Sequence, residues 1–438
     1  MGHTGHEAKR QWNTGLSSWC IVCLTLFVFL APRAARADIE LGKSDGWTVS
    51  TDGRINGFLS YTTGEGTPTS PNDPMQVVNI AGTSLEDFTD NKNNIETLRI
   101  RTGFVGSILG FKLTKPFSEM LTLTGRFQLW SVIESNRQAS ERNYPDMREV
   151  YLRADGPWGG ALIGRSVGLF NRGAIEIDFL YGHNYGLGHP CDTKSKGPTC
   201  GHVGYGVFFP SFNAGIVYNT PSLAGLKLTA GMYDPSTLAL PGYVRTPLPR
   251  IESELGYDFG EKGPGGESPP FALHLFVNGL WQRLVQAGDP SAPVTTRSED
   301  AWGLGMGGRV EVMGAFKIGA SFHTGKGIGL AVPLENSPTA ANTDGDLRDT
   351  NGMYVQAMYS FPTGTDLAAG YGISRVKELP TDTTISLIEH QRGISAAVYQ
   401  HINQNFVLGF DWFRADYLWH EGETQAVNTF NLGATLHW

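Results

Sequence analysis

Four arginines in the first third of the chain, Arg54, Arg99, Arg101 and Arg126, carry its most evident chemistry. Arginine is permanently cationic and presents its N–H donors in a fixed fork. A group of them therefore holds carboxylates or sets an electric field across water. Each stands beside an apolar residue: Ile55, Leu98, Ile100 and Phe127. In a membrane wall a charge on the lipid face costs roughly 2–4 kcal/mol near midplane, so such arginines would face inward or sit at the rim. For bond-breaking chemistry the sequence offers little. No convincing serine–histidine pairing stands out, and neither a catalytic residue nor a cofactor is expected. The stretch Asn342-Thr343-Asp344-Gly345-Asp346-Leu347-Arg348-Asp349 spaces oxygen ligands as Ca²⁺ likes them. It lacks the EF-hand spacing and closing glutamate, reads as a solvated loop, and leaves no metal expected.

The N-terminus reads as an export signal. Lys9 and Arg10 precede the largely apolar run Leu16 to Ala31, and Ala35-Arg36-Ala37 has the small-x-small form of a cleavage site. Two regions follow: a signal peptide, 1–37, and one domain, 38–438. Removing the first loses four basic residues and one acidic one, taking the formal charge from −8 to −11. That balance argues against a nucleic-acid partner, which needs basic patches for phosphate. Cys20 and Cys23 leave with the signal. Cys191 and Cys200 remain, and in an oxidising compartment they read as a disulfide. His189 and His202 flank them, but the rest of a metal-ligand set is missing.

The elements that must position these residues alternate with period two. In the last segment Phe430, Leu432, Ala434, Leu436 and Trp438 share one face, and Thr429, Asn431, Gly433, Thr435 and His437 share the other. Around residues 47–61, Val49, Ile55, Gly57, Leu59 and Tyr61 oppose Asp52, Arg54 and Asn56. Leu121, Leu123, Phe127 and Leu129 oppose Thr122, Thr124, Arg126 and Gln128. Glu252, Glu254, Arg309, Glu311 and Lys317 fall on polar faces of mixed sign and read as general lining. Strands are expected at 47–61, 96–114, 120–134, 147–156, 160–169, 211–220, 225–234, 250–260, 271–284, 301–313, 315–325, 352–361, 365–377, 390–401, 405–418 and 425–438. Short turns (115–119, 156–159, 221–225, 313–315, 361–365, 402–405) alternate with long polar loops. Past the signal no apolar run approaches the ~20 residues of a membrane helix. High glycine, 11% aromatic residues and only 17% charged residues suit a closed barrel in lipid. The fold class is therefore all-β: a transmembrane antiparallel β-barrel of about 16 strands, with long extracellular loops. Trp47, Tyr61, Trp412, Tyr417, Trp419 and Trp438 suit its aromatic girdles.

These segments resemble the Gram-negative general (non-specific) outer-membrane porin family. The likeness lies in Arg148-Glu149-Val150-Tyr151-Leu152, Gly156-Pro157-Trp158-Gly159, Leu162-Ile163-Gly164-Arg165, Asn219-Thr220-Pro221-Ser222-Leu223-Ala224-Gly225, and a final strand ending on an aromatic residue. It spans essentially 38–438. The chain departs from the family in ending on Trp438 where phenylalanine is usual, and in lacking the Pro-Glu-Phe-Gly-Gly stretch of the third loop. The resemblance implies a third loop, Gly168 to Pro210, folded into the pore, and a water-filled channel for passive diffusion of small hydrophilic solutes and ions. It implies a constriction between a basic wall (Arg54, Arg99, Arg101, Arg126, with Arg153 and Arg165) and acids of that loop (Glu176, Asp178). It further implies a homotrimer in the outer membrane, contact with lipid and lipopolysaccharide, and recognition of the strand ending on Trp438 by the assembly machinery. A channel selective for sugar or anion, a barrel enzyme and a plugged structural barrel are the rival readings.

Overall fold

Alternating residues form strands along nearly the whole chain. The computed structural model describes residues 38–66, 95–133, 146–180, 199–236, 243–244, 248–260, 269–286, 298–334, 339–342, 344–382 and 387–438. The strands are β1 (Ile39–Ser44), β2 (Trp47–Gly66), β3 (Ile95–Arg101), β4 (Ser107–Ser118), β5 (Leu121–Ser131), β6 (Asp146–Gly156), β7 (Gly159–Val167), β8 (Phe212–Asn219), β9 (Leu226–Tyr233) and β10 (Tyr243–Val244). They continue with β11 (Arg250–Phe259), β12 (Phe271–Gln286), β13 (Ser298–Val312), β14 (Phe316–Lys326), β15 (Asp349–Ser360), β16 (Thr365–Val376), β17 (Ile388–His401), β18 (Phe406–Trp419) and β19 (Thr424–His437). One helix is described, α1 (Arg172–Ile177).

Each long strand pairs antiparallel with the next, and β19 returns to pair with β2 from Gln425↔Gly66 to His437↔Arg54. The ladder therefore closes. Counting β3 and β4 as one wall position, since both pair with β2, the cylinder has sixteen strands. Closure leaves no exposed sheet edge, the condition for crossing a bilayer with strands. Below the end of β19 the short β1 pairs with β2 at Ile39↔Thr51 to Ser44↔Trp47. Gly53 and Trp438 exchange backbone hydrogen bonds of 3.0 and 3.1 Å at that junction.

The expected continuous strand 96–114 is in fact two. Residues 102–106 leave the ladder and turn into the barrel. Gly103 and Gly106 weaken a strand here, and Asn56 replaces the lost pairing. Its carboxamide oxygen accepts from Gly103 N (2.7 Å), and its nitrogen donates to the carbonyls of Val105 (2.8 Å) and Gly106 (3.4 Å).

The two faces of the wall invert the order of a soluble core. Outward-pointing Ile55 (54%), Ile163 (56%) and Leu432 (57%) are exposed, whereas inward-pointing Asn56 (3%) and Thr429 (0%) are buried. A ring of exposed Leu, Ile, Val, Met and Phe encircles the cylinder. It would be an aggregation surface in water and is the required one in lipid. Four aromatic pairs, Trp47–Phe117, Trp158–Tyr218, Phe259–Phe271 and Tyr359–Phe361, gather at the end that carries the short turns, as one interfacial girdle. Tyr417 and Trp419 belong to the interior instead: both are buried on the inward face of β18. For these two rings strand parity, not closeness to an end, decides the side.

Candidate pore constriction

The chain between β7 and β8 enters the barrel, and inward side chains of the wall fasten it. Glu252 of β11 accepts the backbone N–H groups of Leu169 (2.6 Å) and Phe170 (2.9 Å). Glu254 accepts from Gly173 N (3.0 Å), Asn278 (3.2 Å) and the Arg172 guanidinium. Farther round, Tyr354 donates to Ala174 O (2.5 Å), Gln356 to Ile177 O (3.1 Å) and Tyr399 to Leu180 O (2.9 Å). The returning part is held as well. Gln391 donates to Gly204 O at 2.6 Å, and Ser374 accepts from Gly206 N at 2.8 Å. Two glycines of the wall make room: a Cβ at Gly303 would strike Phe170, and one at Gly305 would strike Asn171. The inner segment thus lines the wall from β11 to β18. Its apolar residues Phe179, Leu180 and Tyr205 pack with Phe58, Tyr399 and Phe413 of the wall.

Glu252 and Glu254, expected as general lining, are buried beneath this segment and hold it. Buried backbone N–H groups need acceptors, and a carboxylate is a strong one. Arg309 and Glu311 do face water, lining with Asp258 and His274 a cavity of about 270 Å³. Lys317 approaches Glu311 at 4.0 Å.

The wall facing the inner segment carries four of the six arginines expected at the constriction. Arg54, Arg99 and Arg101 all lie on the inward register of β2 and β3. Arg99 is exposed and donates to Leu98 O at 3.0 Å. Arg54 is half-buried, and Arg101 is enclosed beside the inward turn 102–106. Arg126 reaches across β4 to Asp52, with contacts of 2.5 and 2.9 Å, and meets Glu149 at 3.3 Å. Gly110 makes this possible, since a Cβ there would lie 2.1 Å from the Asp52 carboxylate. Arg126 is thus a cross-strand clamp with its charge matched.

Two other arginines stand elsewhere. Arg153 is bonded to Asp155 (2.7–2.9 Å) and Asn219 (2.8 Å) beside the turn between β6 and β7, so it belongs to the rim. Arg165 departs from the expected inward wall. It lies across from Val150 and Ala214 on the outward register of Ile163, because strand alternation fixes its side.

Of the two acids expected on the inner segment, Glu176 is exposed in α1, 3.5 Å from Arg172. Restricted water in the lumen raises its pKa above the usual carboxylate value, and Arg172 opposes the shift. Asp178 is buried and accepts the N–H of Leu180 at 3.0 Å, so it shapes the turn after α1 rather than presenting an acid to water. His202 is buried against Ser395 at 3.1 Å, and burial pushes its pKa down to about 3.

No family model and no curated protein matches the chain. Among solved structures it resembles the outer membrane channel DcaP of Acinetobacter baumannii, with TM-score 0.63 and 16% identity over 91% of this chain and 100% of that one. It also resembles an anion-selective porin from Comamonas acidovorans, with TM-score 0.56 and 11% identity over 90% and 100%. OmpT, an outer membrane protein of Vibrio cholerae, matches with TM-score 0.52 and 14% identity over 91% and 99%. At these identities the likeness is one of fold: a sixteen-stranded porin-like barrel.

The remaining expected sites resolve as follows. Cys200 is disulfide-bonded, and Cys191 lies outside the described residues. In the loop 342–349, Asn342 accepts the N–H groups of Asp344 (3.1 Å) and Asp346 (2.7 Å), so a carboxamide fills the centre of that turn. Arg348 forms a buried ion pair with Asp382 of the next loop, fastening the two together. The sequence reading also passed over a Gly-x-Ser-x-Gly, Gly42-Lys43-Ser44-Asp45-Gly46, which ends β1 and turns into β2 rather than forming a strand-to-helix elbow. The sequence reading missed Asn56, Arg172, Tyr354 and Tyr399 as site-forming residues. For Asn56 the Gly103/Gly106 pair was the available signal; for Tyr354 and Tyr399 inward parity was legible but their partners were not, and Arg172, in a helix, carried no such signal.

Proposed function

We propose that the chain is an outer-membrane channel through which small hydrophilic solutes and ions diffuse passively. One observation carries this reading. The closed sixteen-stranded cylinder is apolar outside and polar inside, and its inner segment is bound to one side of the wall, from β11 to β18. Water-filled passages select by width and by fixed charge. Here Arg54 and Arg99, with the enclosed Arg101, stand on the wall across from Glu176 and the inner segment, giving a transverse field that orients dipolar solutes and retards apolar ones. Arg126 stiffens that wall. The work of the protein in this reading is selection, not bond breaking.

The same reading covers the rest of the chain. Residues 1–37 are a signal peptide removed on export, and 38–438 form the barrel of a Gram-negative outer membrane. Cys191 pairs with Cys200 and stiffens the inner segment. Lipid and lipopolysaccharide cover the apolar belt, a homotrimer is the working assembly, and the assembly machinery reads the last strand. The decisive experiment is single-channel conductance of the purified, folded protein in a planar bilayer, with reversal potentials in a salt gradient. Discrete open steps are expected; a folded barrel that leaves the bilayer silent would overturn the reading.

A further inference from the structure

A run of rings crosses the interior beside the constriction. Phe104, in the inward turn 102–106, meets Phe209, near the end of the inner segment, edge to face at 5.2 Å. Phe209 meets Phe212 at 5.9 Å, and Phe212 meets Trp130 edge to face at 5.5 Å. Trp130 lies on the inward register of β5 with Arg126 and Gln128, and its indole N–H donates to Gln128 at 2.6 Å. The Arg148 guanidinium lies 4.2 Å above Trp130 and 5.6 Å from the Phe212 ring. All four rings and Arg148 are only partly buried. Arg148 stacks on one face of Trp130 and Phe209 packs on the inner cluster with Val207 and Tyr354, while all four rings keep part of their surface uncovered.

Two ion pairs stand beside these rings. Arg148 is bonded to Asp146 at 2.8 Å, and Glu149 to Arg126 at 3.3 Å. An anion would have to displace a carboxylate from a guanidinium to bind here. A pyranose would not: its apolar face lies on an aromatic ring, while its hydroxyls both give and accept hydrogen bonds. Alternating carboxylate, guanidinium and carboxamide groups meet that need.

We propose that Trp130, Phe212, Phe209 and Phe104, edged by Arg148, Asp146 and Gln128, form a sugar-binding track inside the channel, for neutral mono- or oligosaccharides. The inference rests on the channel reading and names its solute class. In a planar bilayer, maltotriose should interrupt the ion current in a saturable, concentration-dependent way. Trp130→Ala and Phe212→Ala should each weaken this roughly three- to tenfold, the worth of one aromatic contact, with little change in the sugar-free conductance. Trp130→Phe should retain most of it. Gel mobility before and after heating checks that each variant is folded.

Intrinsic fluorescence titration with maltotriose in detergent reads binding without conduction. A protein that binds the sugar but conducts nothing overturns the channel reading alone. One that conducts, but is neither interrupted nor titrated by maltotriose, overturns the track alone. Interruption by benzoate in place of maltotriose, or interruption equal in wild type and both alanine variants, also overturns the track.

Discussion

The wall from β11 to β18 and the wall from β2 to β7 are built from the same alternating strands, yet they spend their inward side chains differently. On the first, Glu252, Glu254, Tyr354, Gln356 and Tyr399 hold another part of the chain. On the second, Arg126 and Arg153 pair with acids of their own wall, and Arg99 is exposed. Alternation decides which side chains point inward; what they meet there depends on where a loop travels. The difference separates residues whose loss should move the loop from residues whose loss should change only the field.

The largest effect is expected at Glu254. Glu254→Ala takes the acceptor from the Gly173 N–H and the Asn278 carboxamide and leaves Arg172 with Glu176 alone. Breaking such a buried arrangement costs about 3 kcal/mol. Thermal or urea unfolding in detergent should register the loss, with larger and noisier open currents as the inner segment loosens. Unchanged stability with quiet currents would erase the distinction between the walls. Asn56→Ala tests a place where the second wall also holds a loop. Losing its three hydrogen bonds should cost about 2 kcal/mol and let 102–106 withdraw, raising conductance.

The arginines sharpen the contrast further. Arg99→Ala should shift reversal potentials toward cations with less than about 0.5 kcal/mol of destabilisation, because the side chain is exposed. Arg126→Ala should shift them the same way but destabilise by about 1.5 kcal/mol, since Asp52 and Glu149 lose their shared partner. Equal stability losses in the two would show that Arg126 is no clamp. The smallest effect is a pH dependence. The Glu176 pKa is raised, so on acidification from neutral it gives up its negative charge before ordinary carboxylates do. Selectivity should move toward anions over that early range in the wild type. Glu176→Gln should flatten the early part of the curve while leaving the later part intact.

The barrel itself was open to reading because period two is a local signal repeated sixteen times. Phe430 to Leu436 and Leu121 to Leu129 could be placed on the lipid side from their spacing alone. Parity also put Arg54, Arg99, Arg101 and Arg126 inside. The partners were not accessible. Nothing near Glu254 in sequence points to Gly173, 81 residues away, and nothing near Arg126 points to Asp52, 74 residues away. Whether a polar inward residue lines water or grips a loop is a property of the loop's path. For the same reason Asp178 looked like a lining acid and is a turn former, and Tyr417 looked like a girdle residue and is buried against Tyr205. Arg165 differs: counting two residues from Ile163 would have placed it outside.

The inward turn 102–106 has a consequence for how such a passage can be retuned. β3 and β4 each hold their own pairing with β2, from Phe58↔Arg101 to Gly64↔Ile95 and from Thr48↔Thr114 to Arg54↔Ile108. The five residues between them contribute no rung to the ladder. A residue gained or lost there alters how far the chain protrudes toward Phe209, whereas one gained or lost inside a strand would swap its lipid and lumen faces. The bore is thereby adjustable by length, at a point outside the ladder that the Asn56 carboxamide and the Thr102 hydroxyl tie to the wall.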